Sequence, residues 1–184
     1  MIKILTLFLF TFTMADTYKQ PSYKLIKEDN NIQMREYSKY VIAKTVIDPG
    51  NLDEDNNMFR KLGGYIFGNN VKNASIPMTA PVITQNTNSG YEMIFFMLNV
   101  DSPDQLPEPT NDAVILEMME MGKVITISFG MWATEARVES YKKILDEYIS
   151  ANNIEITSNL MVAQYNSPWA LPPFRKNELI YKIK

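Results

Sequence analysis

The stretch Tyr65-Ile66-Phe67-Gly68-Asn69-Asn70 recurs in the second half of the chain as Tyr148-Ile149-Ser150-Ala151-Asn152-Asn153. Each copy ends a run of apolar residues spaced three and four apart, which is the spacing of one helix face. The runs are Met58, Phe59, Leu62, Tyr65 and Ile66 in the first half, and Val138, Tyr141, Ile144, Leu145, Tyr148 and Ile149 in the second. Val41-Ile42 before the first helix matches Val124-Ile125 before the second at the same separation. The chain is therefore predicted to contain two similar halves, each made of strands, a helix and further strands.

Strand signals flank both predicted helices. The first two strands form a hairpin around Asn30-Asn31, and a third strand over 41–47 is predicted to end at Asp48-Pro49-Gly50. Further strands are predicted over 80–84, 91–98, 113–117, 124–129, 160–165 and 178–183, with a proline-containing loop over 101–112 and with Asn51 or Asp53 and then Thr134 as helix caps. This order predicts an α+β fold, in which two helices lie on one antiparallel sheet or barrel. An approximate twofold axis would relate the halves, and a groove is expected where helix meets strands.

The composition excludes several classes of function. The chain has 184 residues, 46% of them apolar, which fits one globular domain. Its 18 basic and 21 acidic residues give a net charge of −3, so no broad basic surface is expected and nucleic acid is not a predicted partner. Histidine and cysteine are both absent, which removes Cys and His nucleophiles, His general bases, disulfides and the usual zinc ligand sets and leaves carboxylates, hydroxyls, Lys, Tyr and Met.

The remaining ionisable residues do not form a catalytic group in the sequence. Asp53-Glu54-Asp55 is expected at a helix start, residues 117–120 at a strand end, and Asp146-Glu147 on the outer face of the second helix. No nucleophile, base or metal cluster can be assembled from these positions. The chain is therefore predicted not to be an enzyme and to have no metal-ion cluster of its own.

The first fifteen residues have the layout of a secretory signal. Lys3 precedes the apolar run Ile4–Phe12, and the small residues Thr13 and Ala15 stand before Asp16. The run is too short for a membrane span, which needs about 20 apolar residues. Residues 1–15 are therefore predicted to be a cleaved signal peptide and residues 16–184 a single exported domain, with no membrane span in the mature protein.

Two segments resemble the signatures of the SOUL haem-binding family. The first leads from Phe59 and Leu62 through Tyr65–Asn69 into Ile76-Pro77-Met78-Thr79-Ala80-Pro81-Val82. The second is Tyr165-Asn166-Ser167-Pro168-Trp169-Ala170-Leu171-Pro172, continued by Arg175 and Asn177-Glu178. Both occur in the family's order, and the resemblance covers about Tyr23 to Lys184.

The resemblance implies a fold and a ligand. The fold is a distorted antiparallel β-barrel built from two similar β-α-β halves and flanked by two α-helices. The ligand is haem or a related tetrapyrrole, bound without catalysis in an apolar groove beside the first helix. The implied contact residues are Met58, Phe59, Leu62, Tyr65 and Ile66, with Arg60, Lys61 and Lys72 as cations for the ligand's carboxylates. An apolar stripe of this spacing is equally typical of a helix that packs on a core.

A histidine has been proposed as the iron ligand in some family members, and this chain contains no histidine. Haem would here be bound without histidine ligation, through Tyr65, through Met58 or Met78, through a lysine, or by apolar contacts alone. The twelve methionines are also explained as adaptable core filler.

The second signature allows two interpretations. Its prolines stiffen the segment, and Trp169 and Phe174 are predicted to anchor it across the barrel as a clasp, with Arg175 pairing with Glu178. Trp169→Ala would then cost roughly 3 kcal/mol or more. The alternative is a lid over the ligand groove.

Two other functions remain open for this sequence. The duplicated plan also resembles the GyrI-like effector-binding fold, in which buried carboxylates would favour cationic ligands. A protein-interaction scaffold is the other, with the helix stripe or the loop 102–110 as the docking surface. A monomer is expected in each case.

Overall fold

The computed structural model describes residues 18–47 and 55–184. In chain order the elements are β1 (Tyr23–Asp29), β2 (Ile32–Ile47), α1 (Asp55–Ile66), β3 (Val82–Thr87), β4 (Gly90–Phe96), β5 (Ile115–Gly130), α2 (Glu135–Ala151), β6 (Met161–Gln164) and β7 (Lys176–Lys182). Single turns of 3-10 helix occupy Pro103–Gln105 and Pro172–Phe174. The predicted signal peptide, the stop at Asp48-Pro49-Gly50 and the caps Asn51 and Asp53 lie outside the described residues.

The strands form a closed antiparallel barrel, as predicted. Hydrogen-bonded neighbours run β2-β4-β3-β6-β7-β5, and β5 pairs back with β2 to close the ring of six. The remaining strand, β1, pairs with β2 through the predicted hairpin. The two halves correspond element by element, because β2, α1, β3 and β4 match β5, α2, β6 and β7. The neighbour order of the strands is therefore the same whether it is followed from the first half or from the second. The predicted α+β fold of two similar halves is confirmed.

The two longest strands differ from the prediction. The second and third predicted strands are one continuous strand, β2, and the strands predicted over 113–117 and 124–129 are likewise the single strand β5. In β2, Tyr37 and Ile42 both point into the barrel although they are five residues apart, so the alternation of faces shifts between them. In β5 the same shift falls between Met121 and Val124. A one-residue shift moves the following side chains to the opposite face of the strand. The alternating apolar pattern is therefore interrupted in the sequence, although the strand continues from one packing layer to another.

Three apolar clusters hold the domain together. One fills the barrel, a second packs α2 on the barrel wall, and a third packs α1 on the opposite wall. On α2, Leu145 and Ile149 are buried as the stripe predicts, but Ile144 is 46% exposed. Thr134 stands at the N-cap of α2, where its backbone carbonyl accepts from Arg137 and Val138 while its side chain makes no cap hydrogen bond. Among the described residues, no helix is both long enough and apolar enough to span a bilayer.

The repeated Asn pair ends both helices. The buried Asn70 side chain donates to the carbonyls of Tyr65 and Ala74 and accepts from the backbone N–H of Ala74. After α2, the Asn152 side chain donates to the Tyr148 carbonyl. Helix ends leave carbonyls without partners, and these amides satisfy them. The carbonyls of the equivalent residues Tyr65 and Tyr148 are thus both capped by an Asn amide, by the second Asn of the pair after α1 and by the first after α2.

Candidate functional site

The predicted contact residues of α1 lie in two different environments. Met58, Leu62, Tyr65 and Ile66 are each 1% exposed or less. Phe59 is 41% exposed. The buried residues Leu62, Tyr65 and Ile66 pack with Val41, Ala43, Phe95, Met97 and Val114. These side chains therefore fill the interface between helix and barrel where a groove was expected, and a ligand can reach them only if α1 separates from the barrel.

Tyr65 is engaged in a structural hydrogen bond. Its hydroxyl donates to the Pro107 carbonyl at 2.9 Å, and the side chain does not reach solvent. Burial raises the pKa of Tyr65 to about 12, so the phenol is protonated at neutral pH. A tyrosinate ligand to ferric iron would need both the proton and this hydrogen bond to be lost. The structure thus favours a packing role for Tyr65.

The outer face of α1 presents two accessible phenyl rings, Phe59 and Phe67, with the buried Gly63 between them, and we call these three residues the outer α1 face. Phe67 is 72% exposed and continues the helix by one residue, with its N–H donating to the Gly63 carbonyl. A Cβ added at Gly63 would lie 3.8 Å from the Phe59 ring and 3.9 Å from the Phe67 ring. Phe59 is held from below by edge contact with Phe95, at 5.5 Å between ring centroids. Two phenyl rings therefore stand on either side of a residue without a side chain.

The two adjacent glycines of α1 have different neighbours, and this gives a testable difference. Gly63→Ala is expected to raise the free energy of unfolding by about 0.5–1 kcal/mol, because alanine favours helix and the new methyl makes only ordinary contacts. Gly64→Ala should show no such gain, since its Cβ would lie 2.8 Å from Nδ2 of Asn69. Thermal melting of both variants beside the parent protein measures the difference, and equal gains would contradict it.

Basic side chains accompany the outer α1 face in the sequence. Arg60 and Lys72 are exposed, and Lys61 is half-buried and engaged with neighbouring groups. Exposed guanidinium and ammonium groups are suited to carboxylates at the rim of an apolar ligand. The chain thus offers two exposed cations close in sequence to the two rings.

A second polar group lies inside the barrel. Glu178 is fully buried and accepts two hydrogen bonds from the guanidinium of the buried Arg35, at 2.9 and 2.8 Å. The hydroxyls of Tyr165 and Ser128 also donate to this carboxylate, at 2.6 and 3.1 Å. The predicted pairing of Arg175 with Glu178 is therefore wrong, because β7 directs Glu178 into the barrel, where Arg35 of β2 meets it.

The charges of this pair are mutually compensated. Burial alone would raise the pKa of Glu178, but the hydrogen bonds and charge of Arg35, with a contribution from Lys176, lower it to about 2. Burial opposes the charged form of Arg35 as well, yet Glu178 raises its pKa. The pKa of Tyr165 is raised well above its ordinary value by burial and by the neighbouring carboxylate. A carboxylate so strongly held is a poor proton acceptor at neutral pH.

A small cavity adjoins this network. Tyr37, Tyr165 and Lys176 line it with Gln20, Pro21, Tyr23, Pro81, Ile83, Phe96, Met121 and Ile180, and its volume is about 20 Å³. That volume accommodates about one water molecule. A macrocycle does not fit there. Within residues 18–47 and 55–184, no three Asp or Glu residues are grouped so that they could hold a metal ion.

The second signature segment does not form the predicted clasp. Trp169 and Phe174 project into solvent instead of anchoring across the barrel. Of residues 166–175, Arg175 is the buried one, and its guanidinium donates to the carbonyls of Ala170, Ser167 and Pro168. The cost expected for Trp169→Ala therefore does not apply, because the indole fills no space in the core.

The family model described as SOUL heme-binding protein matches residues 18–182 of the chain. The match agrees with the two motifs, with their order along the chain and with the barrel of two halves. The chain belongs to the SOUL haem-binding family. The match includes both signature segments, and hence the outer α1 face and the Arg35–Glu178 pair of this SOUL domain. No curated protein sequence matches the SOUL domain at a significant level.

Solved structures share the fold of this SOUL domain at low sequence identity. An uncharacterised conserved protein from Listeria innocua aligns with a TM-score of 0.63 and 8% identity, over 84% of this chain and 92% of that one. The C-terminal domain of EcmrR aligns with a TM-score of 0.58 and 10% identity, over 88% and 98%. A hydrolase from Listeria innocua aligns with a TM-score of 0.56 and 10% identity, over 86% and 94%. At these identities the likeness shows the fold alone.

Some residues of the site were missed by sequence reasoning. Phe67 lies beyond the apolar stripe, so helical spacing assigns it no role, and only its exposure beside Gly63 shows its place. Arg35 is an isolated charge in a strand pattern and carries no signal of burial. Its partner, Glu178, belongs to the second signature. That signature marks Glu178 as important but does not show which residue pairs with it.

Proposed function

We propose that this SOUL protein binds haem or a related tetrapyrrole on the outer α1 face, without catalysing a reaction. The observation that carries the proposal is the pair of exposed rings, Phe59 and Phe67, on either side of Gly63 within the first signature segment. Family membership supports the ligand class at the level of the family. The contact of Phe59 with such a ligand was predicted from the sequence and stays a prediction.

The chemistry of the outer α1 face suits a flat apolar ligand with acidic groups. Aromatic rings offer large apolar area and favour stacked or edge contacts with another ring system. Gly63 is itself buried, so a planar ligand would meet the two rings and not the helix backbone. Arg60 and Lys72 are available to the carboxylates at the rim. With no histidine in the chain, affinity is expected from this surface and not from an imidazole bond to iron.

The deeper residues Met58, Leu62, Tyr65 and Ile66 define a second mode of binding. A ligand that contacted them would need α1 to leave the barrel, exposing apolar surface that the fold now buries. Binding at the outer face needs no such opening. We therefore assign the primary contact to the outer face, and the experiment below separates the two modes.

The test is an absorbance titration of the protein with hemin and, in parallel, with iron-free protoporphyrin. The two ligands should bind with similar affinity. The double variant Phe59→Ser/Phe67→Ser should weaken both by about tenfold or more, which corresponds to 1.4 kcal/mol per factor of ten. Phe174→Ser is the matched control, because it removes an equally exposed phenyl ring outside α1.

Three outcomes would contradict the outer-face proposal. An unchanged affinity in the double variant would exclude the outer α1 face. A loss of affinity in Leu62→Ala that exceeds the loss in the double variant would place the ligand in an opened interface. A shift of the Soret band with hemin, while protoporphyrin fails to bind, would show that an iron ligand dominates.

The barrel interior does not support the GyrI-like alternative. A cationic effector would need an uncompensated carboxylate, and Glu178 already has Arg35 as its counter-ion. The cavity beside the pair is also too small for an effector. Glu92, which is also buried, lies 3.7 Å from Lys44.

Cleavage of residues 1–15 and export of the remaining chain are part of the proposal, together with a monomeric state and no nucleic-acid partner. The N-terminal charge and apolar run support cleavage, and the net charge of −3 argues against nucleic acid. Mass analysis of protein recovered from the exported fraction should give an N-terminus at Asp16. An intact Met1 in that fraction would contradict cleavage.

A further inference from the structure

Five large apolar side chains project from one region at the end of β5 and before β7. We call this region the C-terminal apolar patch; its members are Met131, Trp132, Trp169, Leu171 and Phe174, with exposed fractions of 40%, 47%, 89%, 65% and 75%. Both tryptophans of the chain are among them. Single exposed apolar residues are ordinary, whereas several large ones on two neighbouring segments are a candidate interaction surface.

Arg175 joins the two segments of the patch. Its guanidinium donates to three carbonyls of the loop that carries Trp169, at 2.6 to 3.3 Å. The same guanidinium lies over the ring of Trp132, 3.5 Å from its centroid. Pro172 and Pro173 stiffen the loop further within a 3-10 turn. The exposed side chains therefore stand on a supported backbone.

The shape of the patch favours a soft partner. Trp169, Leu171 and Phe174 are exposed over most of their surface, so they protrude from the domain and do not line a groove. A folded protein partner would need a deep pocket of its own to receive these protruding side chains. Protruding Trp, Leu and Phe side chains instead suit the interfacial layer of a bilayer, where apolar rings enter and polar edges stay wet.

The charge around the patch also fits a bilayer. No Asp or Glu occurs between Met121 and Thr134 or between Ile156 and Asn177, although the chain has 21 acidic residues. Glu178, which follows, is buried and paired, and Lys176 beside it is about half exposed. Exposed carboxylates would repel the phosphate groups of lipids, and these two sequence ranges contain none. The nearest exposed carboxylate in sequence is Glu135, at the start of α2.

We propose that the protein docks on the surface of a zwitterionic lipid bilayer by inserting the C-terminal apolar patch into the interfacial layer. Apolar insertion supplies the affinity, since the chain's net charge is −3 and Lys176, the cation next to the patch in sequence, is paired with Glu178 and offers little attraction to anionic lipid. The inference is independent of tetrapyrrole binding, because the patch shares no residue with the outer α1 face.

The experiment uses the two tryptophans as built-in reporters. Addition of phosphatidylcholine vesicles should shift the emission of the protein to shorter wavelength and carry the protein into the vesicle fraction on sedimentation. Trp132→Phe should retain the shift, since Trp169 is the more exposed of the two. The triple variant Trp169→Ser/Leu171→Ser/Phe174→Ser should sediment with vesicles at least about tenfold less, as expected when apolar area is removed from an interfacial anchor.

Controls separate docking from other causes. Phe59→Ser/Phe67→Ser removes two exposed rings elsewhere and should bind vesicles like the parent protein. The triple variant should keep the parent's melting temperature, because its substituted side chains are exposed.

Absence of any shift with vesicles would overturn the proposal. A shift that follows protein concentration without vesicles would also overturn it, because it would assign the patch to a second copy of the chain. Binding found only with anionic phosphatidylglycerol and abolished by salt would also overturn it, since that attraction is electrostatic.

Discussion

Glu178→Gln is expected to lower the free energy of unfolding at neutral pH by about 3–5 kcal/mol, the range seen when one partner of a buried ion pair is removed. The variant leaves Arg35 charged, 2% exposed, and without the carboxylate that now accepts two of its hydrogen bonds. The hydroxyls of Tyr165 and Ser128 would face an amide instead of an anion. Chemical denaturation of the parent and variant proteins at pH 7 measures the loss.

The same substitution should change how stability depends on pH. The pKa of Glu178 falls from an ordinary value of 4.5 to about 2 in the folded protein. Because the folded-state pKa is depressed, the stabilisation is complete above pH 4.5 and is lost as the pH falls towards 2. The parent protein should therefore lose more stability than Glu178→Gln over this window, by about 3 kcal/mol in the limit.

A surface pair provides the control for both effects. Glu120 and Lys39 form an ion pair at 3.0 Å with both side chains more than half exposed. Glu120→Gln should change the free energy of unfolding by less than about 1 kcal/mol. If Glu178→Gln behaved like Glu120→Gln at pH 7, the barrel interior would have to be far more hydrated than its packing indicates.

Leu62→Ala is expected to lower the free energy of unfolding by about 2–5 kcal/mol, because it opens a cavity between α1 and the barrel. Leu62 is completely buried and packs with Tyr65 and Phe95 in the cluster beneath the helix. Thermal and urea unfolding of the parent and variant measure the loss. The result bears on function as well, since a well-packed Leu62 argues against a groove that stands open beneath α1.

Ile144→Ala is the matched control on the other helix. Sequence spacing places Ile144 in an apolar helical stripe just as it places Leu62, but the structure leaves it 46% exposed. The substitution should change stability by no more than about 0.5 kcal/mol. A small effect in Leu62→Ala, equal to that in Ile144→Ala, would mean that α1 is loosely attached and would favour the opened interface as the ligand site.

The sequence was most informative where a local pattern has one structural solution. Apolar spacing of three and four, followed by an Asn pair, predicted both helices because helix periodicity and helix ends are local properties. The turn at Asn30-Asn31 predicted the first hairpin for the same reason. The duplication then predicted the symmetric arrangement of strands, and the family signatures predicted the closed barrel.

Local patterns were misleading where one strand serves two layers. The breaks near Tyr37 in β2 and near Gly122 in β5 have the appearance of strand ends, although the strands continue. Exposure was similarly undetermined, since Leu62 and Ile144 have the same pattern and opposite environments. The prolines and aromatics around Trp169 predicted an ordered segment but not the direction in which its side chains point.

The sequence by itself thus determined the duplicated α+β plan, the absence of histidine and cysteine chemistry, and the segment in which a tetrapyrrole surface is proposed. Only the tertiary structure decided that Met58, Leu62, Tyr65 and Ile66 are core while Phe59 and Phe67 are accessible, that Glu178 pairs with Arg35 from a distant strand, and that Trp169 faces solvent. The physical reason is that periodicity and turn chemistry act over a few residues. Burial and charge pairing depend on which surfaces meet when the barrel closes.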